Sequence, residues 1–162
     1  MNQMRVYPRD REIDFRESRM TKNEMDRLAD AHIEAEMRGE THGCVEVLTV
    51  DVVHDAVGKP YGPLHGRMAA GDFHNLLAHD LHTEKMEPVY RCYGHDFCLV
   101  EHEWTGSVRG AFRGLPGHGR RISFRMFHLW AFRDGRICRE NVWLDSGAIV
   151  RQLTAESAGT AA

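Results

Sequence analysis

No apolar run in these 162 residues approaches the about 18 that a membrane-spanning helix needs. The opening stretch MNQMRVYPRDREIDFRESRM lacks the apolar core of a secretory signal, so the chain is expected in the cytoplasm, with no membrane partner. A basic excess is missing as well. Lys and Arg number 21 against 24 Asp and Glu, a formal net charge of −3 that argues against a nucleic-acid partner. Cysteine is sparse: Cys44, Cys92, Cys98 and Cys138 form no CxxC pair, and in a reducing compartment they are read as free thiols. There is no GxSxG, which removes support for a nucleophile-elbow hydrolase. GLPGHG (114–119) has glycines without a strand-to-helix setting, so it is not read as a phosphate cradle.

Apolar residues make up 42% and charged residues 28%, the balance of one soluble domain with a real core. Residues 1–20 mix Arg, Asp and Glu without periodicity and read as an N-terminal arm. Thr21-Lys-Asn-Glu24 has capping-box spacing, and Met25, Leu28, Ala29, Ile33 and Met37 recur behind it at helical period up to Gly39. A short helical piece around 44–48 and a strand near 50–55 follow. GKPYGPLHG (58–66) is a loop, and Met68, Ala69, Phe73, Leu76, Leu77 and Leu81 mark a second amphipathic helix.

The period then changes from about 3.6 to 2, predicting long strands over 86–95, 97–112, 120–133 and 136–145. Asp134-Gly135 between two alternating runs signals a type I′ hairpin. SGAIVRQL reads as a terminal helix, and 156–162 as a frayed tail. Helices first and a strand meander after predict an α+β fold: a strongly curved, mainly antiparallel sheet, cone-shaped and covered by the N-terminal helices. Such a cone offers an apolar interior for a small ligand.

FRMFHLWAFRDGRICRENVWLDSGAIVRQL (124–153) resembles the closing hairpin of the SnoaL-like polyketide cyclase branch of the nuclear transport factor 2-like superfamily. DVVHD (51–55), GPLHG (62–66) and GAFRGLPGHGRRISFR (110–125) fit the same family in order and spacing, so that the domain spans 21–155. The resemblance implies the cone fold. It also implies a small cofactor-free enzyme acting by general acid–base chemistry, of isomerase, cyclase, dehydratase or hydrolase type. Its substrate would be an apolar carbonyl- or epoxide-bearing molecule. The fold also hosts non-catalytic binding modules and dimeric scaffolds, and these remain alternatives. Asn141 stands where the family commonly has Trp.

A two-residue turn at Asp134-Gly135 sets His128 opposite Asn141 and Met126 opposite Trp143. That register puts His128, Met126, Asn141, Trp143 and Asp145 on one face. In an apolar cone Asp145 would be a strong enough base to take a proton from carbon, and it matches the acid/base aspartate of the family. His128 and Asn141 would hold an oxygen of the substrate. Asp145 is also placed to cap the last helix.

His54 shares a strand face with Val52 and is a further pocket candidate, as are Tyr61 and His65 in the loop. His74, His79 and His82 fall on the second long helix. HDLH lacks metalloprotease spacing, so a solvated face and no metal are expected there. Glu101 and Glu103 share one strand face, with His102 and Trp104 on the other. Apolar residues on both faces of 97–100 predict a homodimer through the sheet.

Overall fold

A computed structural model describes residues 20–155; all of the predicted arm but Met20, and the predicted tail, lie outside the described residues. Helix α1 runs over Lys22–Arg38. The Thr21 hydroxyl accepts from the Glu24 amide at 3.3 Å while the Glu24 carboxylate accepts from the Thr21 amide at 2.7 Å, so the capping box forms as read. Gly39 closes the helix at φ 67°, a left-handed position that an L side chain resists. A short α2 (Thr41–Glu46) leads into β1 (Leu48–Ala56). A two-residue β2 (Leu64–His65) folds back on β1 before α3 (Arg67–Asp80).

The meander follows: β3 (Leu81–Tyr93), β4 (Phe97–Val108), a small β5–β6 hairpin (Ala111–Phe112, Leu115–Pro116), β7 (Arg120–Arg133) and β8 (Arg136–Leu144). α4 (Ser146–Thr154) ends the described chain. The six-stranded sheet has the order β2-β1-β8-β7-β4-β3, parallel only where β1 meets β8. That pairing brings the first strand beside the last. Among the described residues no helix is long and apolar enough to cross a membrane.

Alternation decides which residues the sheet turns toward the helices. On β4 the inner set is Cys98, Val100, His102, Trp104 and Val108, all buried, and on β7 it is Ile122, Phe124, Met126, His128 and Trp130. Helix α1 lays Met25, Leu28, Ala29 and Ile33 over them. Arg91 of β3 ties that helix down through Asp26 and Asp30, and the Tyr93 hydroxyl donates to Asp26 at 2.8 Å. At the other end α4 buries Ile149 and Leu153. Gln152 of that helix exchanges two hydrogen bonds with the Ser123 backbone, at 2.6 and 3.0 Å.

The hairpin at Asp134-Gly135 is where the predicted register fails. Both residues have positive φ, 52° and 70°, as the tight turn requires, and Arg133 pairs Arg136 and Phe132 pairs Ile137. The ladder then shifts, and Ala131 pairs Arg139, leaving Cys138 as an extra residue on β8. A bulge of one residue exchanges the two faces of everything beyond it. His128 therefore lies opposite Val142, not Asn141, and Met126 opposite Leu144, not Trp143. The inward set on β8 is Glu140, Val142 and Leu144.

Candidate active site

A cavity of about 50 Å³ lies between the sheet and α3. Its apolar wall is built from Trp104 and Phe124, stacked at 5.0 Å, with Phe112, Met126, Val142 and Leu144 from the strands and Phe73, Leu77 and Leu81 from the α3 side. Glu140, His54, His74, His128, Glu36 and Lys59 add polar groups. At roughly 10–15 Å³ for one water, the space holds a few waters or a small ligand, and anything larger must displace side chains. A second cavity of about 190 Å³ shares Glu36, His74, Leu77 and Leu81 with the first and adds Arg38, His82 and Arg109.

Glu140 is the centre of a buried polar cluster. Parallel pairing of β1 with β8 sets His54 beside it, and His32 of α1 and His74 of α3 close over it. His32 Nε2 is 3.2 Å from Glu140 Oε1, and His54 Nε2 is 3.6 Å from Oε2. The His74 ring sits 5.0 Å from His32 and 5.3 Å from His54, edge-on to both. None of these four residues is more than 4% exposed, so their charges interact with little screening by water.

Each ring has a different electrostatic fate. Burial alone would lower His32, but the facing Glu140 carboxylate outweighs it and raises the imidazole to about 9. Burial works against the Glu140 charge too, and His32 and His54 overcome it, holding the carboxyl well below its usual range. His74 is pushed down to about 3 by burial and by the charge of His32. His54 is lowered by burial, only partly offset by Glu140. Half-buried Glu36 is raised to about 7 by desolvation, against the pull of His32 and with the push of Glu140. One charged pair and two neutral imidazoles thus share one small volume.

The cluster is short of partners. His32 Nδ1 donates to the Cys44 carbonyl at 2.9 Å, since a carbonyl only accepts, and this fixes the ring's orientation. Beyond that bond, His32 Nε2, His54 Nδ1, both nitrogens of His74 and both oxygens of Glu140 have no hydrogen-bonded protein partner. Leaving such atoms unmatched costs on the order of 1–3 kcal/mol each, a burden a fold carries where a site needs it.

The structure separates the residues singled out from the sequence. His54, Met126 and His128 line the cavity. Asn141, Trp143 and Asp145 do not. Asn141 is turned to the outer face, where it accepts from Arg139 at 2.6 Å and donates to Asp55 at 3.2 Å. Trp143 is 40% exposed on that face. Asp145 is exposed, and its carboxylate accepts from the Ala148 amide at 2.8 Å as the N-cap of α4. The bulge at Cys138 accounts for the first two, and helix initiation for the third.

Tyr61 and His65 are exposed and outside the cavity lining. The expected solvated histidine face is corrected in part. His79 is indeed exposed, but α3 ends at Asp80, so that His82 belongs to β3, and His74 is buried in the cluster. Of the β4 alternation, His102 and Trp104 face inward. Glu140, His32 and Glu36 were not legible as site residues. The available signal for the two on α1 was a pair of polar residues, His32 and Glu36, four apart in line with Leu28 on the apolar stripe.

A curved, mainly antiparallel sheet under N-terminal helices, with a carboxylate–histidine cluster beside an apolar cavity on its inner face, defines a protein of the α+β cone class. The sequence model of the SnoaL-like polyketide cyclases matches residues 23–153, and the chain belongs to that family. No curated protein matches it. Among solved structures it is similar to TsrD from Streptomyces laurentii, at 17% identity and a TM-score of 0.73, covering 85% of this chain and 99% of that one. A candidate polyketide cyclase from Xanthomonas campestris pv. campestris has 20% identity and a TM-score of 0.70, covering 82% and 98%. An epoxide hydrolase of M. tuberculosis described as LEH-like has 15% identity and a TM-score of 0.65, covering 81% and 90%. These likenesses establish the fold.

Proposed function

We propose that this chain is an enzyme using general acid–base chemistry on a small apolar molecule that bears a carbonyl or an epoxide, held in the cup between the sheet and α3. The observation that carries the reading is His54: a cavity-lining imidazole with its Nε2 toward the buried Glu140 carboxylate and its Nδ1 without a protein partner. A carboxylate behind an imidazole orients the ring and stabilises the imidazolium formed when the ring takes a proton. His54 is then the base that removes a proton from carbon next to a carbonyl, or from water attacking an epoxide. His128 and His74 lie in the same wall to hold the oxygen on which charge develops. Family membership and the likeness to an epoxide hydrolase support a small enzyme of this kind. Asp145, on the surface, has no part in it.

The test is deuterium exchange from D₂O into the α-carbons of a panel of small ketones, with hydrolysis of small epoxides run beside it. Wild-type protein catalyses one of the two, and His54→Gln loses about 10²–10⁴-fold. Turnover undiminished in His54→Gln removes the base from this reading. Binding without any turnover makes the chain a carrier.

We further propose that two copies pair through the outer face of the sheet. Trp143, Phe127 and Tyr90 lie on one cross-strand row there, interrupted by Glu101. Tyr90 is 60% and Trp143 40% exposed, more apolar surface than a strand face turned to water usually keeps.

A further inference from the structure

We propose that His32, His74 and Glu140 form a binding site for one divalent transition-metal ion of the zinc class. One donor atom from each lies within 4.8 Å of the other two, and the three residues come from α1, α3 and β8, so that only the folded chain assembles them. Two imidazoles and one carboxylate are the ligand set of a catalytic zinc site with an open position.

Three features of the cluster suit an ion better than an ion pair. First, the hydrogen bond from His32 Nδ1 to the Cys44 carbonyl fixes that ring's orientation, the outer-shell contact usual for a metal-binding histidine, and commits Nε2 to facing the cluster. Second, His32 Nε2 and Glu140 Oε1 are 3.2 Å apart, each with nothing else bonded to it. The edge of a tetrahedron with metal–ligand bonds of about 2.0 Å is about 3.3 Å, so the spacing also fits two ligands of one ion. Third, five buried polar atoms on these three residues have no hydrogen-bonded partner: His32 Nε2, both nitrogens of His74 and both oxygens of Glu140.

His54 Nε2, 3.6 Å from the second Glu140 oxygen, is placed to steady that carboxylate. Glu140 and His74 both line the apolar cavity, so the open position of the ion faces the space where a ligand sits. Use of the ion in turnover rests on the proposed function; its binding does not.

The full chain, stripped with a chelator, is titrated with Zn²⁺ by calorimetry and with Co²⁺ by visible absorption. One Zn²⁺ per chain is expected, with a Co²⁺ d–d spectrum of low coordination number. His74→Phe and Glu140→Gln, each checked for folding by circular dichroism, are expected to weaken Zn²⁺ binding at least 100-fold and abolish the spectrum. Loss of about 10–100-fold in His54→Gln is expected from its supporting position. No Zn²⁺ heat and no Co²⁺ spectrum, or binding unchanged in folded His74→Phe, overturns the site. Stripped protein that keeps full exchange or hydrolysis activity while binding no metal overturns the site and leaves the proposed function standing. Metal bound as described, without turnover of any panel compound, supports the site and sinks the enzymatic reading.

Discussion

His102 and His128 meet inside the sheet Nδ1 to Nδ1 at 3.1 Å, and a hydrogen bond between two imidazole nitrogens needs hydrogen on one and a lone pair on the other. Protonating the acceptor ring sets N–H against N–H, in rings only 2% and 1% exposed. Burial, with the charge of Arg91 added, holds His102 down to about 4, and burial also presses His128 well below its ordinary value. In the unfolded chain both return to about 6.5. Below that pH the unfolded state binds protons that the folded state refuses, so stability falls as pH falls. Each neutral histidine contributes a slope of about 1.4 kcal/mol per pH unit. For His102 alone the loss reaches about 3 kcal/mol between pH 6.5 and 4, against a typical total of about 5–15 kcal/mol.

Urea unfolding at pH 7, 6 and 5 measures this, with Trp130 as the reporter. That indole is fully buried and stacks on His128 at 4.7 Å and 3°, so its fluorescence reports the opening of this layer. Other buried histidines also titrate, His74 among them, so the quantity to read is a difference. The paired substitution His102→Phe with His128→Leu removes both titrating rings without orphaning either, and flattens the pH dependence by roughly 1.4 kcal/mol per unit for each ring removed. An identical slope in wild type and double variant refutes the buried neutral pair.

Asp145→Ala costs about 0.5–2 kcal/mol in thermal or urea unfolding, because the Ala148 amide loses its cap, while ligand affinity and turnover stay at wild-type level. A fall in turnover with unchanged stability would return this aspartate to the site. Sedimentation or light scattering in dilute buffer is expected to give twice the 18.6 kDa chain mass, and Trp143→Glu to give single chains; a monomeric wild type rejects the paired sheet.

Local chemistry was legible in this chain wherever neighbours in sequence are neighbours in space. Thr21 and Glu24 cap each other because they are three residues apart on one turn, Gly39 stops the helix by its own backbone freedom, and Asp134-Gly135 turns the hairpin because both residues accept positive φ. The change from helical to strand period, and with it the α+β order and the family, needed no further information. Alternation named Met126 and His128 as one face, and both line the cavity together with His54, which was a pocket candidate.

What tertiary structure alone decided begins at Cys138. A single unpaired residue in β8 reverses the parity of the strand, sending Asn141 and Trp143 outward and Glu140 inward, and nothing in the alternation of apolar residues announces it. His32 and His74 sit on two helices 42 positions apart in sequence, and Glu140 joins them only when β8 is laid beside β1. Periodicity reports which side of one element is dry. Which dry sides meet, and so which histidines find a carboxylate there, depends on strand register and helix packing, and those are set by contacts between residues far apart along the chain.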